Sequence, residues 1–143
     1  MPTFNNLKEL EKHLNEKIAK SLKNEVAKAT VKTMQEEIKE TVYNVYEPKV
    51  YHRHYYQGGL LDPDNIEVEV TGDNSISVEN IRHDGEREVA YIVETGDGYY
   101  SGAPSVLTNG RRFTASTRKR LIKEDILRKA MKDGLNRQGI DTR

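Results

Sequence analysis

The feature that most constrains this chain is a long apolar stripe in its first third. Between residues 4 and 46, an apolar residue recurs about once per helical turn, and no Gly or Pro interrupts the pattern before Pro48. Glu, Lys and Gln, which favour helices, fill most other positions. The pattern predicts one long helix, or two in line, within segment 1–46, with Thr3 as its N-cap. The apolar positions are Leu7, Leu10, Leu14, Ile18, Leu22, Val26, Ala29, Met34, Ile38, Val42 and Val45.

Such a helix is too long for one small domain to cover. The 143 residues suit a single domain, 1–143. Hydrophobic residues are 35% of the chain and charged residues 32%, so we expect a modest core. We therefore expect part of the stripe to pack within the domain and the remainder to lie along another subunit.

The rest of the chain alternates between loops and regular segments, and the predicted fold class is α+β. Apolar and polar residues alternate in three stretches, near 66–71, 75–82 and 87–95, which predicts an antiparallel meander. Gly and Asp residues mark its turns. The predicted segments are a tyrosine-rich loop at 47–65, the meander at 66–95, a second long loop at 96–115 and a C-terminal helix at 116–138.

Charge is divided along the chain. Residues 60–100 hold 2 basic and 11 acidic residues, whereas residues 101–143 hold 11 basic and 4 acidic residues. The basic part could meet nucleic acid, or the acidic middle of a neighbouring copy. Alternatively, both parts are solvated faces of one monomer.

Several classes of protein are disfavoured. The absence of Cys excludes disulfides and thiolate zinc sites and suits a reducing cytoplasm. No apolar run reaches the roughly 20 residues of a membrane helix, and the N-terminus does not resemble a signal peptide. Phosphate-binding and dinucleotide-binding glycine motifs are missing, so we expect no enzyme activity and no cofactor. His52 and His54 would share one face of a strand, but local sequence offers no third ligand, so we expect no metal.

The tyrosines are concentrated in one place. Five of the eight lie between residues 43 and 56, and Gly58-Gly59 ends the cluster. Tyr combines a large apolar ring with a polar tip and is enriched at interfaces. A local satellite core under the loop is the alternative. We predict that Tyr51, Tyr55 and Tyr56 become substantially buried only in an assembly.

A basic and aromatic cluster suggests a second possibility. Arg111-Arg112-Phe113 and Arg118-Lys119-Arg120 bring positive charge near an aromatic ring, a combination that can hold phosphates and stack on bases. Because acidic residues recur through the same helix and the whole chain has zero net charge, a DNA-binding accessory protein is the alternative and not the preferred reading.

A series of short motifs carries a resemblance. They are Val42-Tyr43, Tyr46-Glu47-Pro48, Tyr51-His52-Arg53, Gly58-Gly59-Leu60, Ile92-Val93-Glu94-Thr95-Gly96 and Arg111-Arg112-Phe113. Their order resembles the tail-completion (tail-to-head joining) family of tailed bacteriophages of Gram-positive hosts, with Arg112 where the family turn often carries Pro. The resemblance implies a non-enzymatic virion protein with a long N-terminal helix, a small antiparallel sheet and a C-terminal helix.

The resemblance also implies partners and a place of action. These are further copies in a ring, usually six-fold, the neck or connector and the tail tube, with assembly in the host bacterial cytoplasm and no membrane partner. Another neck or tail component is the alternative within this class. The residues expected at subunit or partner contacts are Tyr51, His52, Arg53, Tyr55, Tyr56, Glu94, Arg111, Arg112, Phe113, Arg118 and Arg120.

Overall fold

The computed structural model describes residues 3–49 and 51–143. The first two residues of the predicted helical segment and residue 50 of the predicted loop lie outside the described residues. The predicted α+β class is confirmed: a long helix is followed by two short antiparallel hairpins and then by helices. Across the described ranges, no helix combines the length and the apolar character that crossing a membrane requires.

The long helix is confirmed. It begins with α1 (Leu7–Ser21), passes through a π-helical turn at Leu22–Val26 into α2 (Ala27–Ile38), and ends with a second π-helical turn at Lys39–Tyr43. Its N-cap is Asn6 and not Thr3, because the Asn6 side chain accepts a hydrogen bond of 2.9 Å from the backbone N–H of Glu9.

One cluster of apolar side chains forms the core around the second half of the long helix. The middle of the predicted stripe supplies Met34, Ile38 and Val42, all of them buried. In contrast, Leu7 and Leu14 near the start of α1 are exposed, so the protomer leaves that end of the stripe uncovered. The other buried members of the core are Leu60, Leu61, Ile66, Val93 and Phe113.

The first two predicted strands are present. After a short 3₁₀ turn at Pro63–Asn65, β1 (Ile66–Gly72) pairs antiparallel with β2 (Ser75–Asn80). Cross-strand partners such as Val68 and Val78 share one face, while Glu67 and Glu79 share the other. A second hairpin joins β3 (His83–Asp84) to β4 (Arg87–Glu88).

The third predicted strand is wrong, because most of 87–95 forms helix α3 (Val89–Thr95). Residues Val89 and Val93 are two of the alternating positions, but they are also four apart, which is the spacing of one helix face. Both pack against the core, whereas Tyr91 is exposed. The spacing of Val89 and Val93 fits both a strand and a helix, and packing against the core favours the helix. Gly96 ends α3 in the left-handed conformation.

The C-terminal part also differs from the prediction. The loop at 96–115 contains helix α4 (Ser105–Thr108), and the single helix predicted at 116–138 is two helices, α5 (Phe113–Lys123) and α6 (Ile126–Arg137). The break falls at Asp125, which has a positive φ of 55°. Helix α6 packs on α1 at Gly134, where a Cβ would lie 2.6 Å from Ser21 Oγ.

Candidate functional site

A concave surface lies where the long helix meets the tyrosine-rich loop. This tyrosine groove has a volume of about 690 Å³. The end of the helix supplies one wall, and the loop supplies the other. Its lining side chains are Lys39, Glu40, Tyr43, Asn44, Val45, Tyr46, Glu47, Arg53, Tyr55, Tyr56 and Leu61.

Arg53 fastens the loop to the end of the helix. Its guanidinium donates hydrogen bonds to the backbone carbonyl of Tyr43, at 3.1 Å, and to that of Tyr46. The guanidinium carbon also lies 4.7 Å from the centroid of the Tyr43 ring. Carbonyls at a helix C-terminus lack helical partners and carry partial negative charge, so an arginine is a fitting cap. The Tyr43 ring lines the groove and is partly buried, and this burial raises the pKa of Tyr43 above its usual value.

The loop is anchored on its far side. A Cβ on Gly59 would lie 2.5 Å from the backbone N and O of Tyr55, so only glycine allows this close turn. Side-chain amides of Gln35 and Asn80 donate to the carbonyls of Leu61 and Leu60, at 2.8 and 2.9 Å. These contacts hold the loop in one position against the helix and the hairpin.

The anchored loop leaves three tyrosines open. Tyr51, Tyr55 and Tyr56 are 55%, 47% and 48% exposed. The Tyr55 ring meets the Tyr43 ring edge-on, with centroids 4.9 Å apart, and Lys39 Nζ lies 5.1 Å from the centroid of the Tyr56 ring. The protomer therefore presents these rings half covered, on a fixed scaffold.

The neighbouring histidines are exposed as well. His52 and His54 are exposed, and the described part of the chain holds no group of three or more His, Asp or Glu able to bind a metal ion.

A second set of predicted contact residues forms an internal junction between α3 and α5. Phe113 is 1% exposed and belongs to the core. The Glu94 carboxylate caps the start of α5, accepting hydrogen bonds from the backbone N–H groups of Thr114, at 2.8 Å, and Ala115, at 3.3 Å. A negative charge at a helix N-terminus is stabilising.

Arg111 also points inward at this junction. It is 6% exposed and donates to the carbonyl of Val42, at 3.3 Å, and to the Tyr99 hydroxyl, at 2.6 Å. Its backbone N–H donates to the carbonyl of Val93. Gly96 makes this approach possible, since a Cβ there would lie 2.2 Å from the Thr108 carbonyl oxygen. We call Glu94, Gly96, Gly110, Arg111 and Phe113 the α3–α5 junction.

The remaining predicted contact residues divide into one paired and two open arginines. Arg120 reaches Glu36 at 2.8 Å and Glu124 at 2.6 Å, and the hydrogen bond that Arg120 donates to the Glu124 carboxylate raises the pKa of Arg120. It therefore ties α5 to α2. Arg112 and Arg118 are exposed. Among the residues that the structure describes, neither takes part in an ion pair.

Sequence reasoning missed several exposed apolar side chains. Val45, at the rim of the groove, continues the helical stripe beyond the point where the core ends. Ile122 lies on α5 and is exposed. The sequence signal for the exposure of Ile122 is its spacing from Arg118 and Lys119. These two basic residues lie four and three positions before Ile122, so all three residues share one helix face.

The fold and the groove define a small α+β protein built on one long helix, with an open aromatic groove at the end of that helix. The chain belongs to the YomN family, whose pattern it matches over residues 6–137. It is 34% identical, over 82% of its own length and 81% of the relative's, to an SPβ prophage-derived uncharacterized protein YomN of Bacillus subtilis (strain 168). No solved structure matches the chain. The family and the prophage origin of this relative indicate a phage-derived protein with a phage-associated role.

Proposed function

We propose that this chain is a non-enzymatic structural protein of the phage particle, which completes the tail and joins it to the neck. The observation that carries the proposal is the tyrosine groove, which is built and anchored by the protomer but left half uncovered. The phage-associated role and the resemblance to tail-completion proteins support proteins of the neck and tail as the partners that bind the groove. The position in the virion is the head-proximal end of the tail.

The groove has the properties of a protein-docking site. Its lining includes the tyrosines Tyr43, Tyr46, Tyr55 and Tyr56, and tyrosines contribute strongly to interfaces when neighbouring groups exclude water. The loop is held by Arg53 and Gly59, so binding orders few additional residues. Lys39 and Arg53 are balanced by Glu40 and Glu47 among the lining residues, which favours a protein surface over a polyanion.

The exposed start of the stripe fits an assembly of several copies. Leu7 and Leu14 lie on a helix end that the protomer does not cover. A neighbouring subunit in a ring, six-fold in the family that the sequence resembles, would cover this end.

Incorporation into particles tests the proposal. The variant Tyr55→Ala with Tyr56→Ala is supplied to a phage whose copy of the gene is deleted, and the protein is then measured in purified particles. We expect a folded variant that is absent from tails, with a corresponding fall in infectious yield. The matched control is Tyr91→Ala with Tyr100→Ala, which removes two tyrosines that are 54% and 66% exposed outside the groove. Normal incorporation of the groove variant would contradict the proposal.

A DNA-binding accessory function is the second candidate. The observation in its favour is the exposed pair Arg112 and Arg118, with exposed Lys119 beside them. Phosphate contacts of this kind weaken steeply with salt. If the protein is structural, we expect weak binding to duplex DNA that disappears at physiological salt. Tight, salt-resistant binding that Arg118→Ala weakens would favour the DNA-binding function.

A further inference from the structure

The β1–β2 hairpin has an unpaired strand edge and a partly exposed apolar face. Within the described residues, β1 pairs with β2 alone, so its outer edge has no strand partner. On its apolar face, Val68 and Val70 are 37% and 50% exposed, whereas their cross-strand partners Val78 and Ile76 are partly buried against the helix side. The β1 half of that face therefore projects beyond what the protomer covers, and open edges of this kind are prone to pair or dock.

The negative charge of β1 limits which protein surfaces can bind at its open edge. Glu67 faces Glu79 across the hairpin, and Glu69 lies two residues further along the same strand. All three carboxylates are exposed, and none takes part in an ion pair in the described part of the chain. Two β1 edges brought together would oppose these like charges, which is destabilising. An occupant with basic groups and an apolar strip of its own is therefore favoured.

Helix α5 carries a surface of that kind. Ile122 is 72% exposed, and Arg118 and Lys119 lie four and three residues before it, on the same helix face. The two basic residues are exposed, and neither takes part in an ion pair among the residues described. At the open edge of β1 the valines project to one face of the strand and the glutamates to the other, so a helix that lies along this edge can contact both sets. The isoleucine and the basic groups of α5 match these apolar and acidic side chains.

The two surfaces belong to elements that meet the long helix at different places. The tip of the hairpin reaches Asn15 of α1 through the side chain of Asn74, whereas α5 meets α2 at Glu36 through Arg120. One protomer can therefore present both surfaces at once, to two different neighbours.

We propose that the β1 surface (Glu67, Val68, Glu69 and Val70) of one copy docks on the α5 surface (Arg118, Lys119 and Ile122) of a second copy. The contact is head-to-tail, because two different surfaces meet, and it repeats until the rotation between copies closes or the chain of copies ends. This inference rests on the proposed function, since it supplies the copy-to-copy contact of that assembly. Opposite charge sets the orientation, and the exposed valines and isoleucine supply the area that is removed from water.

Charge reversal gives a sharp test. One variant carries Glu67→Lys with Glu69→Lys, and the other carries Arg118→Glu with Lys119→Glu. Each variant alone has two surfaces of like sign and should self-associate about tenfold or more weakly than the native protein. In an equal mixture, the reversed hairpin of the first meets the reversed helix of the second, and the two native surfaces also match. The mixture should therefore recover association.

Sedimentation velocity on the purified full-length protein, at low and at physiological salt, measures this directly. The control is Lys20→Glu with Lys23→Glu, which reverses two exposed lysines of the long helix outside both surfaces and should associate like the native protein. Circular dichroism checks that every variant is folded. A native protein that stays monomeric at all concentrations, or folded variants whose mixture does not associate, would overturn the inference.

The outcome separates this inference from the proposed function. Recovery in the mixture, together with absence of the native protein from purified particles, would retain the copy-to-copy contact and reject the tail role. Normal incorporation into particles without recovery in the mixture would reject the contact and retain the role.

Discussion

The α3–α5 junction and the tyrosine groove contain similar residue types, but the junction covers them and the groove leaves them partly exposed. Each combines an arginine that caps carbonyls at the end of the long helix with aromatic side chains. At the junction Phe113 and Arg111 point inward and are covered, whereas in the groove Tyr55 and Tyr56 stay half exposed. The difference lies in the backbone. Gly96 and Gly110 let two segments of the junction touch, while Gly59 closes only the loop on itself.

The junction stabilises the protomer, whereas the groove leaves aromatic surface exposed. Covered aromatics contribute to folding, because their area is removed from water in the single chain. Half-covered aromatics on an anchored loop keep part of that area for a partner. The two regions should therefore respond differently to truncation, and three substitutions measure the difference.

The largest effect is expected at the junction. Phe113→Ala removes a buried ring from the core and should lower the free energy of unfolding by about 3–5 kcal/mol. Urea denaturation of the purified protein measures this change. The control is Tyr91→Ala, an exposed aromatic on α3, which should change the free energy of unfolding by less than about 0.5 kcal/mol. Similar losses for the two variants would show that Phe113 is not part of the core.

A smaller effect is expected where the junction backbones meet. Gly96 and Gly102 have nearly the same positive φ, 83° and 84°, but a Cβ on Gly102 would meet nothing within 4 Å. Alanine costs roughly 1–2 kcal/mol in this conformation at either position. Gly96→Ala adds a clash with the Thr108 backbone, and overpacking costs about 1–3 kcal/mol more.

Thermal and urea denaturation of Gly96→Ala and Gly102→Ala provide the comparison. The excess loss in Gly96→Ala isolates the close approach from the backbone strain. Equal losses in the two variants would mean that the approach of α3 to the segment before α5 does not contribute to stability.

Part of this architecture follows from local sequence. The long helix was predictable because its stripe continues over many turns, and the first hairpin because alternation and turn residues agree. Helix α3 was not predictable, because Val89 and Val93 fit both periods and only the core chooses between them. The site was predictable only as a cluster of tyrosines.

The directions of the side chains at the α3–α5 junction could not be predicted from local sequence, because they depend on contacts between distant residues. Glu94 caps a helix that begins nineteen residues later, and Arg111 reaches the carbonyl of Val42. No local pattern in Arg111-Arg112-Phe113 shows that its first and third residues point inward while Arg112 stays exposed. The proposed contact between the β1 and α5 surfaces also rests on burial. The charge division suggests such a contact, and the exposure of Val70 and Ile122 indicates where we propose it.

The smallest effect on stability is expected in the groove. Tyr56→Ala removes a ring whose described partner is Lys39, and a cation–π contact at an exposed site contributes about 0.5–1 kcal/mol. The hydrogen bonds that anchor the loop come from Gly58, Asn65 and Arg53, so they remain after the substitution. The free energy of unfolding, measured by urea denaturation as for Phe113→Ala, should fall by less than about 1 kcal/mol.

The matched control for Tyr56→Ala is Tyr43→Ala, which removes a ring that lines the same groove. The Tyr43 ring packs against the core and lies under Arg53, so its removal should cost clearly more. An equal or larger loss for Tyr56→Ala would place its ring in the folding core. A defect in particle incorporation after Tyr55→Ala with Tyr56→Ala would then reflect an unstable protomer instead of a lost interface. A small loss would assign the same defect to the loss of the proposed groove contact.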